Sequence, residues 1–279
     1  MSARLARAAL WTAGVLVAAW LVAPTLVVIP LSFTDKVSLT FPPTGWSTRW
    51  YANFFGDSAW TAALANSLLV GVLVAVVATT LGTAAAFGLS RWTNGRGAAA
   101  ASVLLLAPMI VPGIILAIGI YAVFLKLGLA GTLVGFVAAH TVLAMPFVVV
   151  SVTASLRTFD ERLETAAASL GAGRWATFRQ VTLPLIMPGV VSGALFAFVT
   201  SFDEVVVSLF IQSPTLVTLP VQMYSSVTRE TDPTLAAAAT MILVLTTVLV
   251  GGGLTLAARA CIEVGQSHSL IAAMRIVAS

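Results

Sequence analysis

A chain of 279 residues that is 59% hydrophobic and only 9% charged cannot clothe a water-soluble domain, since ordinary soluble domains carry about 25% charged residues. Its 14 basic and 10 acidic residues give a formal charge of +4, but the cations stand singly between apolar runs, which excludes the clustered basic patch of a nucleic-acid binder. The single cysteine, Cys261, leaves no internal disulfide and no cysteine-based metal or redox motif.

Arg4 and Arg7 precede an apolar run from Ala8 to Leu31 that is too long for a secretory leader and is followed by further runs, so it reads as an uncleaved first membrane helix. The others are Ala62–Ser90, Ala98–Leu125, Ala130–Leu156, Leu185–Ile211 and Leu235–Ala260. Each exceeds the roughly 20 residues that cross a hydrocarbon core about 30 Å thick. The expectation is an all-α, polytopic membrane protein with six transmembrane helices, forming a single domain over residues 1–279 without internal repeats. An N-terminus in the cytoplasm puts Arg4, Arg7, Arg91, Arg96, Arg157, Arg162, Arg174, Arg179, Arg259 and Arg275 inside, against Lys36, Arg49, Lys126 and Arg229 outside. The positive-inside rule favours that orientation, with both termini cytoplasmic. The segment from Ser32 to Thr61, with Pro42, Pro43, Gly45, Trp46, Trp50 and Tyr51, is then an outside loop along the outer membrane face.

Pro108, Pro112 and Gly113 interrupt the third span, either lining a pathway or merely kinking the helix. His140, in the fourth span, has no second His or Cys at ligand spacing and reads as a hydrogen-bonded core residue. Residues 157–183 form a cytoplasmic connection unlike the others. Thr158-Phe159-Asp160-Glu161 has capping-box spacing, with the hydroxyl set to accept the Glu161 N–H. Leu163, Ala167 and Leu170 then make one apolar face, Glu161, Arg162 and Glu164 occupy the rest, and Gly171 and Gly173 stop the helix. A second helical piece runs from Arg174 to Thr182, and Pro184 marks the start of the next span. Such a ridge either rests on lipid headgroups or docks in the groove of a cytoplasmic partner.

Asp203 and Glu204 are the only acids inside an expected span, where a charge costs at least about 2.5–3.5 kcal/mol on insertion scales. At about 1.5 Å per residue, Asp203 lies roughly 27 Å beyond Leu185, towards the outer side. Adjacent helical positions diverge by about 100°, so at most one of the pair points squarely into a pathway. In one reading Asp203, with Glu204 beside it, faces a polar route and attracts a cationic solute; in the other a carboxylate pairs with a partner subunit or caps a helix end. Gly251, Gly252 and Gly253 suit close packing of another helix. The tail from Glu263 to Ser279 gets no assignment. There is no phosphate-binding glycine loop and no Ser/His/Asp or paired-His arrangement, so ATP chemistry and hydrolase chemistry lie outside this chain.

The run Thr165-Ala166-Ala167-Ala168-Ser169-Leu170-Gly171-Ala172, followed by Val181-Thr182-Leu183-Pro184, resembles the EAA loop of binding-protein-dependent ABC importer permeases. The family's Glu position is Thr165 here, with Glu164 one residue earlier. Phe41-Pro42-Pro43-Thr44-Gly45-Trp46-Ser47, Ala107-Pro108-Met109-Ile110-Val111-Pro112-Gly113, Ser201-Phe202-Asp203-Glu204-Val205-Val206-Val207-Ser208, Thr218-Leu219-Pro220 and Tyr224-Ser225-Ser226-Val227 extend the resemblance over nearly the whole chain. They bring it nearest to the second permease of spermidine/putrescine importers. The resemblance implies a type I ABC importer permease fold and an ATPase-coupling element made by Glu164, Thr165, Ala166, Ala167, Leu170, Gly171 and Pro184. It implies two cytoplasmic ATPase subunits that bind ATP and Mg, a second permease subunit, an external solute-binding protein, and a bacterial inner-membrane location. This chain would hold no cofactor and catalyse nothing itself. The expected function is half of a translocation pathway for a small cationic solute such as a polyamine, with Asp203 and Glu204 in the pathway; the alternative is an ion-gradient-driven transporter using Asp203 as its coupling site.

Overall fold

In lipid every backbone N–H and C=O must be satisfied within the chain, and for a single open segment only the helix does this. The computed structural model describes residues 3–92, 95–229, 232–253 and 255, and these fold as helices joined by turns, with no strand among them. In chain order the helices are α1 (Ala3–Ser32), α2 (Arg49–Gly56), α3 (Ser58–Ser90), α4 (Gly95–Leu106), α5 (Gly113–Leu127), α6 (Leu133–Arg157), α7 (Arg162–Ser169), α8 (Arg174–Thr177), α9 (Leu183–Phe202), α10 (Val206–Ile211) and α11 (Leu219–Arg229). Then comes α12 (Thr234–Gly253).

Among the described residues, five helices are long and apolar enough to cross a membrane: α1, α3, α6, α12 and the continuous run Arg174–Phe202 that joins α8 to α9. A sixth crossing exists only if α4 and α5, bent by 100°, count as one span. The expected third span is thus two pieces. A short 3₁₀ turn, Ala107–Met109, closes the first, and Pro112, which has no N–H to donate, stands at the N-cap of the second. Each piece is about 22 Å long, less than the hydrocarbon core alone.

The fifth expected span also differs. It begins earlier, at Arg174, and ends at Phe202; α10 starts only at Val206, so Asp203 and Glu204 occupy a turn between helices instead of helical positions. The last part of the expected sixth span up to Ala260, together with Arg259, Cys261, Arg275 and the tail, lies outside the described residues.

The described residues divide into two compact units, those within 1–62 and 222–245 and those within 63–221 and from 246 onward. In the first, the end of α1 is tied to α2: the Ser32 hydroxyl meets the Tyr51 hydroxyl at 2.7 Å, and the Trp50 indole N–H donates to the Thr34 carbonyl at 2.8 Å. Asn53 of α2 donates its amide to the Thr234 hydroxyl at 2.7 Å, holding the start of α12.

In the second unit the dominant pairing is α6 against α9. Gly189, Gly193, Ala197 and Ser201 recur every four residues on α9 and are all buried, giving a small-residue stripe on which α6 lies. A Cβ at Gly193 would stand 3.1 Å from the Val148 Cα, and one at Gly189 would stand 2.7 Å from the Ser151 carbonyl oxygen. Backbone approach of this kind replaces the hydrophobic effect, which does not drive helix association in lipid. Val70, Val74 and Ala78 of α3, Ala117 of α5 and Ile211 of α10 complete this core. Of the three adjacent glycines on α12, Gly253 meets Leu195 of α9, while Gly251 and Gly252 meet nothing within 4 Å among the described residues.

Candidate functional site

Two regions of the second unit carry the residues singled out in the sequence. The first is the connection between α6 and α9. Asp160, not Thr158, starts α7: its carboxylate accepts the Arg162 N–H at 3.0 Å, while the Thr158 hydroxyl turns back to donate to the Ser155 carbonyl at 2.9 Å. The capping box is therefore not formed. α7 ends as the glycine spacing predicts. Gly171 has φ +87°, a conformation open to residues without a Cβ, and two reversed hydrogen bonds close the last turn, Gly171 N–H to the Ala168 carbonyl and Ala172 N–H to the Ala167 carbonyl, both 3.0 Å.

Leu170, the last residue of the apolar face read from the sequence, is 89% exposed, and Thr165, Ala166 and Ser169 are exposed with it. Ala167 is half-buried. Glu164, set off that apolar face by its spacing, turns inward: its side chain is 17% exposed and pairs with the Arg91 guanidinium, just past the end of α3. Its other carboxylate oxygen accepts from the fully buried Thr182 hydroxyl at 2.5 Å. Around this pair Phe87 packs edge-on to Phe178 with centroids 5.1 Å apart, and Trp175 stacks on Phe178 at 5.7 Å.

Pro184 stands in the first turn of α9, as expected, but α9 is not a separate start. The proline lies inside the continuous run from Arg174, just after a π-turn over Phe178–Thr182 in which the Leu183 N–H reaches the Phe178 carbonyl. A proline cannot donate to the carbonyl four residues back, and a widened turn is how a helix absorbs that loss without breaking.

The second region is the turn after α9. The Glu204 carboxylate accepts the Val207 N–H at 2.9 Å and so caps α10. Its backbone carbonyl accepts the Ser208 hydroxyl at 2.9 Å. Asp203 is exposed. Behind the turn, His140 of α6 is 1% exposed and spans the break, with Nδ1 2.9 Å from the Ser201 hydroxyl on α9 and Nε2 3.0 Å from the Ser208 hydroxyl on α10. Because the Ser208 hydroxyl donates its only proton to the Glu204 carbonyl, Nε2 carries the hydrogen and Nδ1 accepts from Ser201. The far end of α10 is held by the Gly131 N–H on the Ile211 carbonyl at 2.8 Å.

The fold thus brings Glu164 to Arg91 and Thr182, and His140 to both sides of the acidic turn. Of these contacts the sequence announces only that His140 is hydrogen-bonded. Arg91 is legible there solely as a topology charge, and Thr182 as one letter of the Val-Thr-Leu-Pro run.

Residues 78–260 match the family described as binding-protein-dependent transport system inner membrane component. The chain is 35% identical over 233 residues to the putrescine transport system permease protein PotI of Escherichia coli (strain K12), covering 80% of this chain and 82% of that protein. It is 34% identical over 251 residues to the spermidine/putrescine transport system permease protein PotC of the same strain, covering 90% and 93%. Among solved structures it is similar to a chain of a bacterial ABC transporter involved in the import of the acidic polysaccharide alginate, with TM-score 0.69 and 15% identity, over 91% of this chain and 95% of that one.

Proposed function

Since the chain belongs to the binding-protein-dependent transport system inner membrane component family, it is the permease subunit of an ATP-driven importer and not an enzyme, and we propose that the solute it passes is a small cationic amine of the polyamine class. Two relatives whose names specify putrescine or spermidine transport support that solute. The observation that carries it in the structure is Asp203: an exposed carboxylate at a break in a membrane-crossing segment, about 30 Å from Leu183. A carboxylate does not face hydrocarbon, so this one looks onto water or another subunit, and a carboxylate is what an ammonium group needs.

The rest of the assembly follows the same reading. Residues 1–279 act as one permease domain, with α3, α11 and α12 each contributing to both compact units. Both termini face the cytoplasm, a second permease subunit completes the pathway, and an external binding protein delivers the solute. Two cytoplasmic ATPase subunits, which bind ATP and Mg, receive α7. The exposed row of Thr165, Ala166, Ser169 and Leu170 supports that contact, because an apolar side chain 89% exposed at a tight helix end suits a protein groove. Closure of the ATPases would push on Leu163–Gly171 and open the pathway outward to the loaded binding protein; hydrolysis would reset it. Family membership does not favour an ion-gradient-driven transporter using Asp203 as its coupling site.

The deciding experiment is putrescine uptake into vesicles containing the whole importer, comparing the wild type with Asp203→Asn. A rise of about tenfold in the half-saturating concentration is expected, the equivalent of one lost charge contact; unchanged affinity and rate would remove Asp203 from the pathway.

A further inference from the structure

We propose that Arg91 is a positioning residue for the coupling of ATP hydrolysis to transport: with Thr182 it pins Glu164, so that α7, the end of α3 and the π-turn ahead of α9 move as one body. The inference rests on the reading that α7 seats an ATPase subunit. It adds that the one carboxylate beside the family's acidic position is not offered to that subunit.

α7 alone is a poor lever. It has eight residues, too few to be stable by itself, and hangs between two turns, residues 158–161 and 170–173. A push on its exposed row could be dissipated as rotation about those turns. Glu164 removes that freedom because its two oxygens engage two different elements, Arg91 beyond α3 and Thr182 inside the π-turn. The guanidinium is itself backed by the Phe87 ring, 5.1 Å from its centroid, and Phe87 in turn packs on Phe178.

The place where the pin enters the membrane run also matters. A π-turn lacks the regular i to i−4 ladder and is the compliant point of the Arg174–Phe202 run. Thr182 is the last residue of that turn, so displacement of α7 is delivered at the joint between the docking segment and the stripe that packs on α6. Beside the pin is an open cavity of about 580 Å³ lined by Phe87, Arg91, Glu164, Arg174 and Phe178 among others. The pair is therefore not locked by close packing on every side, and its hold on α7 runs through the ion pair and the Thr182 hydrogen bond. That makes the charge, and not the bulk of the side chains, the quantity to test.

The test uses the complete importer in proteoliposomes, with its ATPase, second permease and binding protein, and putrescine as the probe. Solute imported per ATP hydrolysed is measured alongside retention of the ATPase on purification. Arg91→Ala and Glu164→Arg are each expected to keep the ATPase bound while the import-to-hydrolysis ratio falls about tenfold, within the usual range of coupling between linked sites. Arg91→Lys, which keeps the charge, and the exchanged pair Arg91→Glu with Glu164→Arg are expected to restore the ratio to within about threefold of wild type. A wild-type ratio in Arg91→Ala, or an exchanged pair no better than either single change, overturns the pin. Leu170→Asp separates this claim from the one beneath it. Retention of the ATPase by that variant removes the docking reading and the pin with it, whereas loss of the ATPase there, together with unchanged coupling in Arg91→Ala, overturns the pin alone.

Discussion

The Glu204 carboxylate accepts the backbone N–H of Val207 at 2.9 Å. Of two adjacent acids, one is therefore already employed in starting α10, which leaves the exposed neighbour Asp203 as the proposed solute contact. The two should respond differently. Glu204→Gln retains an oxygen that can take the cap and is expected to leave the half-saturating putrescine concentration within about twofold, whereas Glu204→Ala loses about 1 kcal/mol of cap. Uptake kinetics across the two variants check the assignment; a tenfold affinity loss in Glu204→Gln would move the solute contact from Asp203 to Glu204.

His140 bridges the same break from behind. Replacing it with Ala strips the Ser201 and Ser208 hydroxyls of their ring partner and opens a void in a fully buried site. The expected loss is about 2–4 kcal/mol, read as a lower thermal unfolding midpoint of the detergent-solubilised subunit. His140→Gln, able to keep one of the two bonds, should lose less. An unshifted midpoint in His140→Ala would mean the bridge contributes nothing.

Close approach of α6 and α9 makes another contrast measurable. Gly189→Ala sets a methyl against the Ser151 carbonyl and the Ser155 hydroxyl, and overpacking of this kind costs about 1–3 kcal/mol. Gly251→Ala meets nothing within 4 Å and should gain slightly, by about 0.5–1 kcal/mol, from better helix propensity. Folded yield and unfolding midpoint of the two variants, measured side by side, check the contrast; equal behaviour would rule out the stripe as the contact surface.

Gly171→Ala places a Cβ at φ +87°, a strain of about 1–2 kcal/mol on a helix of eight residues. The cap of α7 should loosen and ATPase retention on purification should fall. Full retention would mean that the end of α7 is not part of the docking surface.

What the sequence made legible follows from what lipid enforces. Runs of apolar residues had to become helices, and Pro112 announced the break between α4 and α5. The break at Asp203–Val205 was harder to see, because no glycine or proline occurs from Ala194 to Ile211 and the apolar run continues through it. Its one local signal is the spacing of Glu204 three residues before Val207, the distance at which a side chain caps a helix. The stripe of Gly189, Gly193 and Ala197 is written openly at four-residue spacing, yet the three consecutive glycines of α12 attracted the packing expectation instead. The pin could not be read at all: Arg91 and Glu164 are 73 positions apart, and periodicity within α7 says only that Glu164 lies off its apolar face. Nothing local reveals that a neighbour across the fold will neutralise it.

The widened turn at Phe178–Thr182 has a further effect on angular phase. One residue more than a regular helix requires is wound into it, so side chains before it are clocked about 100° away from where an unbroken spiral would set them. Trp175 and the end of α7 owe their heading to that surplus residue. Excising one residue there would leave the crossing helix intact and swing its cytosolic end by more than a quarter of a revolution.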